Sequence, residues 1–243
     1  MDEFIIELDT RIFMWVNSRH TEFWDMFMYL ISGRAIWIPF YSIMLYTIWL
    51  CYGWRTTLLM VLMTGVAIAA CDQICSEFIR PAVERMRPTN PDNPLSEYVH
   101  IVDDYRGGRF GFPSCHAANA FTLATLTSLL FRQWRYTLFI FLWGALICYS
   151  RIYLGVHYPG DILAGLTIGC IFGAAAYALA GTALGLFIYF YPKARESRAI
   201  VTRYKRGAPM RSLTIAGHTL RWRATDITIA AGLFTFVTAL VIS

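Results

Sequence analysis

Three short strings hold the residues that could do chemistry: Arg80 with Arg87-Pro88, then Pro113-Ser114-Cys115-His116, then Ser150-Arg151 followed by His157 and Asp161. They place arginines, histidines and a carboxylate at the ends of apolar segments, where charge is expensive. A phosphate monoester carries about two negative charges at neutral pH, and phosphoryl transfer needs them held while a nucleophile attacks in line. Arg80, Arg87 and Arg151 can offer planar, bidentate donors, and Ser114 a hydroxyl. Backbone N–H groups around Cys115 and His116 would complete an anion cradle at a helix start. If Asp161 accepts the Nδ1 proton of His157, the other ring nitrogen is unprotonated and nucleophilic. His116 is then placed to protonate the leaving oxygen and afterwards to activate water. One such arginine alone is more often a snorkelling interface residue; the set in this order points to a phosphate site.

The elements that must position these residues are apolar. Of 243 residues, 57% are hydrophobic and 15% charged, which is the balance of an integral membrane protein rather than a soluble domain. A net charge of +5 raises nucleic-acid binding, but the basic residues are not interleaved with aromatics on one soluble face, so no nucleic-acid partner is expected. Apolar runs cover 35–53, 56–79, 114–131, 136–154, 161–191 and 226–243, against roughly 20 residues for a spanning helix. The fold expected is therefore all-α, with about six transmembrane helices in a bundle. Cys51, Cys71, Cys75, Cys148 and Cys170 all lie in these runs and read as core thiols, not as disulfides or a metal site.

Orientation follows from the positive residues. Arg55, the pair Arg132 and Arg135, and a cluster comprising Lys193, Arg195, Arg198, Arg203, Lys205, Arg206, Arg211, Arg221 and Arg223 fall on one side of an alternating path. Short positive loops are cytoplasmic, so all three strings are expected to face outward. Residues 1–33 mix Phe4, Ile5, Leu8, Ile12, Trp15 and Trp24 with Glu3, Glu7, Asp9 and Arg11, the pattern of interfacial amphipathic helices. The start, Met1-Asp2-Glu3, lacks the positive region of a secretory signal and is expected to be retained. The organisation expected is 1–33 interfacial, 34–191 a core with five spans, 192–225 a basic cytoplasmic loop, and 226–243 a last span.

In order, the strings resemble the signature of the type 2 phosphatidic acid phosphatase superfamily, in its membrane lipid phosphatase branch: Lys-x6-Arg-Pro, Pro-Ser-Gly-His and Ser-Arg-x5-His-x3-Asp. Here they read Arg80-x6-Arg87-Pro88, Pro113-Ser114-Cys115-His116 and Ser150-Arg151-x5-His157-x3-Asp161, across roughly residues 56–190. The resemblance implies His157 as the nucleophile forming a phosphohistidine, His116 as general acid and Asp161 as the partner of His157. Arg80, Arg87, Ser114, Cys115 and Arg151 take the phosphate-binding places, and no metal or other cofactor is implied. Arg80 stands where the pattern has lysine, and Cys115 where it has glycine, whose slim backbone allows close approach to an anion.

The implied activity is that of a metal-independent lipid phosphate phosphatase in the cytoplasmic membrane with its site toward the periplasm or exterior. Lipid A phosphates and undecaprenyl diphosphate are the favoured substrates, followed by phosphatidylglycerophosphate and phosphatidate. Two alternatives stay open: phosphotransfer to a second lipid, and a non-catalytic lipid binder or transporter that retains the arginines. The polar stretch 89–112 reads either as a headgroup selector, with Arg106 and Arg109 reaching a second phosphate or sugar, or as a solvated connector.

Overall fold

A computed structural model describes residues 3–190, 202, 204, 206–215 and 218–243. Lys193, Arg195, Arg198, Arg203 and Lys205 of the expected basic loop lie outside the described residues. The chain opens with two helices, α1 (Glu3–Asn17) and α2 (Glu22–Ser32), and Thr21 caps α2 by accepting from Trp24 N. A single-turn helix, Ala35–Trp37, leads into α3 (Ile38–Tyr52), and Gly53, at φ 83°, makes the reversal into α4 (Trp54–Gln73). A π-helical turn, Ile74–Ile79, carries α4 into the short α5 (Arg80–Val83). After a long loop come α6 (Cys115–Phe131), α7 (Trp134–Tyr153) and α8 (Pro159–Phe190). Strands β1 (Met210–Ile215) and β2 (His218–Arg223) form an antiparallel hairpin before α9 (Ala224–Ile242).

Among the described residues, five helical stretches are long and apolar enough to cross a membrane: Ala35–Tyr52, Trp54–Val83, Trp134–Tyr153, Pro159–Phe187 and Ala224–Ile242. The sixth expected span, α6, has 17 residues. Its position explains why a shorter helix suffices. It packs on α4, α7 and α8, and Ala117, Ala118, Ala120, Ala124 and Leu126 are all buried, so the neighbouring helices shield it. The closest packing is with α8, where Gly165, Gly169 and Gly173 recur every fourth residue. A Cβ on these three would stand 2.3 Å from Ser114 O, 2.3 Å from Ala118 O and 2.5 Å from Thr122 O. Such small-residue faces let helix backbones approach within an apolar layer, where no hydrophobic force pulls helices together.

The membrane core also contains polar ties between helices. Thr228 Oγ1 donates to Thr47 Oγ1 at 2.7 Å, joining α9 to α3, and Tyr52 donates to Leu130 O at 2.6 Å, joining α3 to α6. The expected interfacial segment is helical, but its inward face is not simply apolar. Phe4 is 71% and Trp15 57% exposed, whereas Asp9 is 9% exposed and turned inward with Phe13 and Asn17. Asn17 binds the 89–112 loop, Nδ2 donating to His100 O at 3.0 Å and Oδ1 accepting from His100 N at 2.8 Å. The stretch 192–225, read from sequence as a loop, thus carries the β1–β2 hairpin in its described part.

Candidate active site

The three strings converge at one end of the bundle. The π-helical turn before Arg80 widens the helix, a device common at functional positions. It lets Arg80 reach across to the start of α6, where Nη2 donates to Cys115 Sγ at 3.1 Å and to Pro113 O at 3.3 Å. The two departures from the motif pattern therefore touch one another. The thiol occupies space that glycine would leave, and the longer, forked arginine binds it.

Arg87 is the hub of the second group. Its Nε donates to Phe110 O at 3.2 Å, and Nη1 lies 3.1 Å from both Val156 O and His157 Nε2. An arginine only donates, so this contact leaves the lone pair on Nε2 and the proton on Nδ1. Nδ1 sits 3.4 Å from Asp161 Oδ2, without the alignment of a hydrogen bond. Asp161, fully buried, is instead fixed by two other donors: Arg85 Nη1 to Oδ1 and Tyr158 N to Oδ2, each at 3.0 Å. Gly111 crosses directly over this pair. A Cβ there would stand 2.9 Å from Asp161 Oδ2 and 3.5 Å from His157 Nδ1.

Arg85 and Asp9 were not among the residues singled out from sequence. Arg85 Nη2 pairs with Asp9 Oδ2 at 2.6 Å, and its guanidinium lies 4.0 Å above the Tyr158 ring. Asp9 Oδ1 also accepts from Gly160 N at 2.7 Å, at the turn between His157 and Asp161. The amphipathic α1 is thereby bonded to the His157–Asp161 turn from behind.

Arg151 and Ser114, read from sequence as phosphate-binding, are both buried and held by protein partners. Arg151 is 3% exposed; Nη1 donates to the Ser32 hydroxyl, Nη2 to Tyr105 OH at 2.7 Å, and its buried Nε has no partner among the described residues. Ser114 is fully buried as the cap of α6, accepting from Ala117 N at 3.4 Å while its own N–H donates to Asp161 O at 3.0 Å. The 89–112 loop contributes Tyr105, Gly107 and Gly111 to the site. Arg106 is turned to Asp104 and Thr89 O, and Arg109 lies over Phe110.

A cavity of about 790 Å³ opens from this cluster and runs down between α3, α4, α6 and α7. Arg80, Arg87, Cys115 and His116 line its upper end with Arg34, a further cation missed in the sequence because it sits at the edge of the amphipathic segment. Tyr41, Met44, Ile48, Met60, Leu123 and Trp143 line the remainder. Burial with Arg80 and Arg151 nearby lowers the Arg87 pKa to about 10, which leaves it charged at neutral pH. Burial, then Arg87, Arg151 and Arg80, hold His157 well below the ordinary histidine range, so its imidazole is neutral. Among the described residues no three His, Cys, Asp or Glu side chains are grouped to hold a metal ion.

This arrangement can be set beside known proteins. The profile of the PAP2 superfamily matches residues 55–184. A lipid A 4'-phosphatase of Bacteroides thetaiotaomicron is 44% identical across 74% of this chain and 80% of its own length. One from Porphyromonas gingivalis is 34% identical across 79% of this chain and 78% of its own. The crystal structure of Aquifex aeolicus LpxE shares the fold with a TM-score of 0.53 at 24% identity, over 70% of this chain and 94% of that one. With more than half its length inside the family profile and close relatives matched along most of theirs, the chain belongs to the PAP2 superfamily.

Proposed function

We propose that this multi-pass membrane protein, a lipid phosphatase of the PAP2 type, hydrolyses a phosphate from a lipid A-type glycolipid at the outer face of the cytoplasmic membrane. One observation carries this reading: a cationic end formed by Arg34, Arg80 and Arg87, with His116 beside them, opens into a largely apolar cavity between membrane helices, the shape of a phosphorylated amphiphile. The two lipid A 4'-phosphatases above make that lipid the first choice of substrate.

The residues divide the work as follows. Arg80 and Arg87 take the phosphate oxygens, and the incoming oxygen replaces His157 Nε2 as the partner of Arg87 Nη1. That exchange uncovers the Nε2 lone pair beside phosphorus. Nε2 attacks, the P–O bond to the lipid breaks in line, and His116 relays a proton from the bound phosphate monoanion to the departing oxygen, ending neutral. His116 then takes a proton from water, whose oxygen displaces Nε2 and releases inorganic phosphate. Asp161 stabilises the charged His157 ring, and Arg85 with Asp9 holds that carboxylate in place. Arg151 orients Tyr105 and Ser32 around the pocket mouth, and Ser114 fixes the start of α6 to the Asp161 backbone.

Phosphate-labelled lipid A incubated with the purified chain should yield free labelled phosphate, and His157→Ala should abolish both release and the covalent phosphoenzyme. Label passing to a second lipid would replace hydrolysis by phosphotransfer. Turnover by a correctly inserted His157→Ala protein would overturn the mechanism.

A further inference from the structure

Below the phosphate end, the cavity wall holds a polar pair that the phosphoryl chemistry does not use. Asp72 lies on α4 inside a membrane-spanning stretch, and its Oδ1 accepts from Asn119 Nδ2 of α6 at 3.0 Å. Both residues line the cavity. Among the described residues Asn119 is the hydrogen-bond partner of Asp72, and no cation pairs with it. Asn119 Oδ1 is itself buried with no partner among the described residues. A carboxylate at this depth is costly unless something polar meets it, and its second oxygen has no donor among the described residues.

Position along the wall says what would meet it. Asp72 is eight residues before Arg80, on the order of 10 Å along the helix at ~1.5 Å per residue. Ser76 lies between them, and the wall below Asp72 turns to Met60, Met44 and Ile48. From the top, the cavity therefore presents cations, then a hydrogen-bond acceptor, then hydrocarbon. We infer that the Asp72–Asn119 pair is a specificity subsite for a hydroxyl or amide N–H carried near the head of the lipid's acyl chain. The preferred substrate is then a phosphorylated lipid with amide-linked or hydroxylated acyl chains, in preference to an isoprenoid or plain ester lipid, which has no donor at that depth. This inference rests on the reading of the cavity as a lipid phosphate site.

The test uses the full chain in detergent and four synthetic phosphorylated lipids with one headgroup: amide-linked or ester-linked, each with or without a chain hydroxyl. The lipid lacking both donors should show a kcat/KM about tenfold or more below the lipid with both, because its chain covers the cavity-facing acceptor and leaves it unpaired. The two single-donor lipids identify which group is read. Asp72→Leu should bring the ratio between the extreme lipids towards one, and Asn119→Ala, which frees Asp72 Oδ1, should alter the same ratio if Asp72→Leu does not accumulate. Equal kcat/KM for all four lipids with the wild-type chain, or an undiminished ratio in Asp72→Leu, overturns the subsite and leaves the pair as a tie between α4 and α6. Absence of phosphate release from every lipid overturns the phosphatase reading and the subsite with it.

Discussion

At the scale of single residues, His157, the proposed nucleophile, is set by its neighbours. Arg87 can only donate, so it fixes the lone pair of His157 on Nε2, and burial keeps the ring neutral. As pH falls below about 6.5, the unfolded chain takes up a proton that the folded ring refuses, so stability is full above that pH and declines in acid. The acid limb of kcat/KM should correspondingly lie below pH ~6.5, and a limb centred above 7 that disappears with His157 would contradict the assignment. At the alkaline end, activity should fall as Arg87 loses its proton near pH 10. Arg85 is the other test at this scale. Replacing it leaves Asp161 without one of its two donors, so Arg85→Gln should lower kcat by roughly 10- to 100-fold with little change in KM. Arg85→Lys should recover part of the loss and return the pH profile towards wild type; a changed KM with unaltered kcat would instead place Arg85 in substrate binding. Arg80, Arg87, Arg151, His116, His157 and Asp161 could be read from sequence because their order and spacing are themselves the signal. Arg85 and Asp9 could not. Arg85 stands two places from a motif arginine and Asp9 among other acids of an amphipathic helix, and their meeting across 76 residues leaves no periodic trace.

At the scale of elements, the site depends on how closely α8 can approach α6. The three glycines of α8 bring its backbone against Ser114, Ala118 and Thr122, and Ser114 N then bonds Asp161 O, joining the helix that carries His116 to the helix that carries Asp161. Gly169→Leu should force these helices apart and, by overpacking, destabilise the protein by about 1–3 kcal/mol or more. A thermal shift assay in detergent reads this directly; an unchanged midpoint would show that α8 can move without cost. The expected spans were legible because long apolar runs have few alternatives. The glycine ladder was less so, since glycine in an apolar helix reads as apolar composition until the partner backbone is seen. The β1–β2 hairpin was hidden by the many basic residues around it, whose charge pattern speaks to membrane side and not to strand pairing.

At the scale of the whole molecule, Arg55 and Arg132 with Arg135 sit at helix ends opposite those that bear the site, which supports an outward-facing catalytic end. A cysteine introduced in the 89–112 loop, Asp103→Cys, should react with a membrane-impermeant thiol reagent in intact cells above the wild-type background. Arg135→Cys should react only after permeabilisation; the reverse pattern would invert the topology. The triangle of Asp9, Arg85 and Asp161 adds a consequence about time. Its corners come from α1, from the loop after α5 and from α8, so ribosomal synthesis supplies them far apart, the first near the start and the last only when the fifth span emerges. On the proposed mechanism, a chain inserted only through α7 has Arg80, Arg87 and Arg151 but no anchored carboxylate behind His157, so arrival of α8, ahead of α9, is the step that completes the site.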